Sequence, residues 1–149
     1  MKNVISASED LNGRGITTEI WSVTSYGELR REGLEFERIK RFDPKHEGVP
    51  YVEACFGDGI PTVAASDYIA AVPEMIQRWT KGGFLPLGTD GFGRSDTRKE
   101  LRRFFEVDSD SIVLASLSLL ERQGGIPPGS SASFAKEAGL SYDRKDVTL

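Results

Sequence analysis

Three short apolar or β-branched runs, separated by longer amphipathic stretches, constrain this chain more than any other feature. They are residues 17–24 (TTEIWSVT), 61–66 (PTVAAS) and 83–88 (GFLPLG). Such runs, bounded by Gly and Pro, read as strands, and strands alternating with helical segments predict an α/β fold with right-handed crossovers between parallel strands. The expected fold class is a mostly parallel sheet flanked by helices. With 149 residues, the chain is expected to form one domain over residues 1–149, large enough for a core without disulfides or metals.

The helical segments follow from period and punctuation. Residues 3–12 are expected to form a helix closed by Gly13 and Gly15. Residues 26–42 carry Leu29, Leu34, Phe36, Ile39 and Phe42 among dense charges, which predicts an exposed amphipathic helix interrupted near Gly33. YVEACFG reads as a helical turn, and Ser66-Asp67 as the cap of a segment that kinks or restarts at Pro73 with Met75, Ile76 and Trp79 inward. Asp108 or Ser109 caps a longer helix whose Ile112, Val113, Leu117, Leu119 and Leu120 are apolar. That helix ends at Gly124-Gly125, and residues 130–140 form the last one.

The stretch LGTDGFGRSDTRKELRRFFEVD, residues 87–108, poses the main functional question. A glycine-rich loop that opens a helix is the usual form of an anion site, because backbone N–H groups and the helix dipole converge there. Gly88, Gly91 and Gly93 give G-x-x-G-x-G, however. This matches neither the dinucleotide fingerprint nor the phosphate loop, and Lys99 comes too late to serve as a phosphate lysine. What the stretch specifies is a helix start. Thr97 and Glu100 fit a capping box, Asp96 can share the role, and Leu101, Phe104 and Phe105 form an apolar face opposite Arg98, Lys99, Arg102 and Arg103. The favoured reading is a structural joint in which Asp90 and Asp96 hold the turn and Gly91 and Gly93 permit a tight path. The exposed part, Asp90, Gly91, Phe92, Gly93, Arg94, Ser95 and Asp96, would be an interdomain or subunit contact loop. On this reading, Val at position 91 or 93 is expected to destabilise the fold. An anion-binding module using residues 88–96 is the weaker option.

Other chemistry finds little support. The single histidine, His46, lies in a charged loop without an orienting partner, and the single cysteine, Cys55, reads as a small buried hydrophobe. One of each leaves almost no ligands for zinc. A net charge of −4, from 19 basic and 23 acidic residues, argues against a nucleic-acid partner, and the basic cluster after Thr97 reads as a solvated face. No apolar run reaches membrane length and the N-terminus lacks a signal-peptide core, so no membrane association and a cytoplasmic location are expected. Trp21, Trp79 and the phenylalanines are expected in the core. Gly57-Asp58-Gly59 opens like the diphosphate–magnesium motif of thiamine-diphosphate enzymes, but Asn3 and Asn12 are the only asparagines. The motif's Asn-Asn pair is therefore absent, and the triplet reads as a turn before Pro61. No catalytic, cofactor-binding or metal-ligating residue is assigned.

Taken in order, EIWSVTSYGELRREG, VPYV, VAASDYIAAVPEMIQRW and LGTDGFGRSDTRKELRRFFEVDSDSIV resemble the C-terminal domain of the homodimeric bacterial pyruvate dehydrogenases (acetyl-transferring), from about Glu19 to about Leu120. The resemblance implies a transketolase C-terminal-like domain that follows two thiamine-diphosphate-binding domains. Thiamine diphosphate and magnesium belong to the full-length enzyme and not to this chain. The implied reaction decarboxylates pyruvate and acetylates lipoyl groups, with the cofactor supplying the carbanion chemistry. The implied partners are the remaining domains, a homodimer mate and, through the full enzyme, dihydrolipoyl acetyltransferase.

The family's first strand precedes its first helix, and this chain starts at that helix. A fragment, a misassigned start and a split gene would each produce that pattern. The expectation is a chain inactive alone, self-associating or marginally folded until the strand is supplied, and otherwise a structural and assembly domain of the dehydrogenase. A free-standing non-catalytic interaction or regulatory domain of the same fold is the alternative.

Overall fold

The computed structural model describes residues 1–143. Its elements are α1 (Lys2–Gly13), α2 (Tyr26–Phe42), α3 (Tyr51–Phe56), β1 (Thr62–Ala65), α4 (Ala71–Glu74), a 3-10 turn (Gln77–Trp79), β2 (Phe84–Leu87), α5 (Arg98–Phe104), α6 (Ser109–Arg122) and α7 (Ser130–Glu137). β1 and β2 run parallel, with Thr62 opposite Phe84 and Ala65 opposite Leu87. The fold class is the expected α/β, with a small parallel sheet between two helical layers.

Alternation along the strands builds both layers. Val63, Ala65 and Leu87 pack into a cluster with Ala7 and Leu11 of α1, Ile112, Val113 and Leu117 of α6, and Phe134 of α7. Ala64 and Phe84 face the other way, onto Val52 and Phe56 of α3 and onto Ile76 and Trp79. Asp108 caps α6 by accepting the Ser111 N–H at 3.0 Å. At the far end of α6, Gly124, with φ +72°, turns the chain so that the Gly125 N–H reaches Leu120 O at 2.9 Å.

Several local expectations change. Residues 17–24 are not a strand: among the described residues the sheet has two strands, and no backbone group of 17–24 bonds another backbone group. β-branched composition supplies the conformational preference but not the neighbouring strand that a ladder needs. The side chains still alternate as a strand's do. Ile16 packs on the α1/α6 cluster and Thr18 Oγ1 meets Ser8 Oγ of α1 at 2.5 Å, while Trp21 lies edge-on to Phe56 at 5.3 Å and Val23 joins the α3 cluster. Trp21 is consequently 46% exposed and not a core residue.

α2 runs without a break. Gly33 is buried within it because a Cβ there would lie 2.5 Å from the Trp79 ring, so this glycine serves close packing and not interruption. Ser66 does not cap a helix. Its hydroxyl accepts the Tyr68 N–H, and α4 begins only at Ala71, with Pro73 in its first turn. The chain then breaks to the 3-10 turn, as Pro73 led one to expect. Ile76 and Trp79 point inward, but Met75 is 39% exposed. α7 stops at Glu137, short of residue 140.

Candidate contact loop

The connection from β2 to α5 is fastened at its entrance. A Cβ on Gly88 would sit 2.3 Å from Ala70 N, so only glycine lets β2 leave the sheet this close to the turn after β1. The Thr89 N–H donates to Tyr68 O at 2.9 Å, and its hydroxyl donates to Asp67 O at 2.8 Å. Asp90 accepts the Ala70 N–H at 3.2 Å, taking up a donor at the start of α4, a helix with no side-chain cap of its own. Two consecutive loops at the C-terminal ends of parallel strands are thereby clasped together.

The exit is fastened too. The Asp96 carboxylate accepts the Thr97 N–H at 2.6 Å, and the Thr97 hydroxyl accepts the Glu100 N–H at 3.3 Å. Half of the expected capping box is present. Asp96, and not Glu100, takes the Thr97 N–H, because its carboxylate is one residue away and already in place.

Between these ends the loop is open to solvent. Gly91 through Ser95 are exposed, Phe92 at 74%. Gly91 has φ +102°, a conformation that strains L side chains. Gly93 has neither a positive φ nor any atom within 4 Å of an added Cβ, so the expected need for glycine there is overturned. The Arg94 guanidinium lies 4.1 Å from the centre of the Phe104 ring, a cation–π contact that lays the arginine along α5. No residue of α5 is buried; Leu101, Phe104 and Phe105 are half-covered.

Arg94, Arg98 and Arg102 share a shallow cleft of about 470 Å³ with Asp67, Thr89 and Leu101. Three guanidiniums against one carboxylate suit an acidic or planar partner group, while the cleft lining has no histidine or cysteine to act as base or nucleophile. Arg103 is a different case. It leaves the solvated face expected for it and holds α5, α6 and α7 together, donating to Asp108 and Asp110 at 3.0 Å each and to Ala138 O at 2.9 Å. The pairing of a basic helix end with D-x-D five residues on was the sequence signal for this clamp.

The remaining candidates lie elsewhere. His46 is half-buried, edge-on to Phe36 at 5.2 Å. Cys55 is half-buried, less covered than expected. The Asp58 carboxylate accepts the Ile60 N–H at 3.1 Å and Gly59 takes φ +89°, which makes residues 57–59 the turn expected before Pro61.

The family model for the transketolase-like C-terminal domain matches residues 1–108. The chain is similar to the pyruvate dehydrogenase E1 component of Mycolicibacterium smegmatis, 43% identical over 135 residues, which are 89% of this chain and 14% of that protein. The E1 component of Pseudomonas aeruginosa is 42% identical over 91% of this chain and 16% of its own length. That of Escherichia coli K12 is 38% identical over 100% of this chain and 17% of its own length. The chain thus spans about 14–17% of the length of these relatives.

Proposed function

Given that the chain belongs to the transketolase-like C-terminal domain family, we propose that it is a single structural and assembly domain of a thiamine-diphosphate-dependent pyruvate dehydrogenase. Loop 90–96 and the uncovered face of α5 are its contact with another domain or subunit. One observation carries the reading. A loop bonded at both ends presents Phe92 and Arg94 beside a helix that buries none of its residues. An anchored, exposed apolar patch rimmed by arginines has the composition of an interface.

In this reading the partners are the rest of the enzyme, its dimer mate and, through the whole enzyme, dihydrolipoyl acetyltransferase. The setting is the cytoplasm, where the enzyme oxidises pyruvate from glycolysis. Among the described residues no helix is long and apolar enough to cross a membrane. Thiamine diphosphate supplies the carbanion chemistry of that enzyme family, but the residues of this chain do not fit it. Asp58 is engaged in its own turn, and among the described residues no three His, Cys, Asp or Glu side chains converge to hold a cation. No step of the reaction is therefore assigned here.

The test is calorimetric. The chain is titrated with thiamine diphosphate and magnesium, and separately with the two preceding domains of a pyruvate dehydrogenase E1 component. Saturable binding of the domains without binding of the cofactor is expected. Micromolar cofactor binding, or no binding of the domains, contradicts the proposal.

A further inference from the structure

Arg98, Leu101, Arg102 and Phe105 recur at i, i+3, i+4 and i+7 along α5 and its C-terminal flank, and all four line the shallow cleft that also holds Asp67 and Thr89. Arg98 and Arg102 are thus like charges one helical turn apart, an arrangement that destabilises a helix. Nothing inside the chain offsets it. Among the described residues neither arginine forms an ion pair, with Asp67 or with any other acid, whereas the next residue, Arg103, is engaged by Asp108, Asp110 and Ala138 O.

The rim of the cleft adds apolar surface. Phe92 and, on the turn after β1, Tyr68 and Ile69 are exposed, and the bonds from Thr89 to Asp67 O and Tyr68 O hold that turn against the loop. Two loops therefore present one surface, apolar at its edge and positively charged in its cleft.

Building on the reading of loop 90–96 as a contact, we propose that the partner segment it meets is acidic. One carboxylate of that segment seats on Arg98 and another on Arg102, an apolar side chain between them rests on Leu101 and Phe105, and turn 67–69 widens the contact. A carboxylate matches the guanidinium fork bidentately, and two forks one turn apart with Leu101 between them suit a short peptide segment better than a single small anion. The chain's net charge of −4 opposes a nucleic-acid strand, whose phosphates would be repelled outside the cleft. The basic face expected to be merely solvated becomes the charged half of the interface, which sets orientation and encounter rate, and Phe92 belongs to the apolar half.

The test is sedimentation of the full chain with the two preceding domains of a pyruvate dehydrogenase E1 component, for the parent, Arg98→Gln/Arg102→Gln and Phe92→Ser, at about 50 and about 500 mM salt. The arginine variant should weaken association about tenfold or more at the lower salt and less at the higher, where the guanidiniums are screened. Its melting temperature should fall by no more than about 4 °C, since neither arginine has an ionic partner inside the chain. Weakening by Phe92→Ser with no effect of the arginine variant overturns the acidic partner and leaves the contact loop standing, whereas no weakening by either variant removes both. Equal weakening at both salts overturns the proposal, as does a larger fall in melting temperature, which would make the arginines structural. Micromolar binding of an oligo-dT strand, lost in the arginine variant, overturns it by making nucleic acid the occupant.

Discussion

Asp90 accepts the backbone N–H of Ala70 at 3.2 Å, so the loop after β2 is tied to the turn after β1. The bond is half-buried and charge-assisted, which places its worth at about 1–2 kcal/mol. Asp90→Ala should lower the melting temperature by a few degrees, and Asp90→Asn by less, because the amide oxygen still accepts. Equal melting of all three proteins would contradict the clasp.

The glycines of the loop separate cleanly. Gly91→Val forces a β-branched residue to φ +102° and should cost on the order of 1–3 kcal/mol, whereas Gly93→Val meets open space and should stay within about 0.5 kcal/mol of the parent. Chemical denaturation measures both. The reverse order would mean that the loop takes another path in solution.

Gly33→Ala sets two effects against each other. Helix propensity favours alanine by about 1 kcal/mol, but the new methyl would lie 2.5 Å from the Trp79 ring. Overpacking of a buried contact costs about 1–3 kcal/mol, so net destabilisation is expected, with altered Trp79 fluorescence. A more stable variant would show that the ring yields freely.

Glu121 on α6 accepts from the Ser131 hydroxyl and from the Gly129 and Ser131 N–H groups at the start of α7, and these bonds hold its carboxyl below the ordinary value of 4.5. A carboxyl lowered in the folded state adds stability that is complete above its unfolded value and lost as pH falls through the folded one. Glu121→Gln should therefore melt below the parent at pH 7, and the gap should shrink below about pH 4.5. A gap constant down to pH 3 would remove Glu121 from the account.

What the sequence made legible was local. The Asp108 cap, the Gly124 turn and the extended runs of β1 and β2 rest on residues that act within a few positions of themselves. Gly33 misleads because its reason, the Trp79 ring, stands 46 positions away. Residues 17–24 carry a strand's composition and alternation, yet pairing is a property of two segments. In loop 90–96, Asp96 was readable as a turn holder, while Asp90, which reaches Ala70 twenty positions away, and the different needs of Gly91 and Gly93 were not, since spacing carries neither a distant partner nor a dihedral angle. Arg103 lay hidden among three basic neighbours of the same helix, Arg98, Lys99 and Arg102.

The assembly role stands or falls with the exposed loop as a docking surface. The decisive measurement is sedimentation of the chain with the two preceding domains of a pyruvate dehydrogenase E1 component, comparing the parent with Phe92→Ser/Arg94→Glu. Phe92 is 74% exposed and Arg94 makes one cation–π contact, with Phe104, so the double substitution should lower the melting temperature of the chain by no more than about 4 °C and leave it folded. It should weaken association at least about tenfold, as the loss of an aromatic–arginine anchor does. Undiminished association by the folded double variant would contradict the assignment of this loop as the contact.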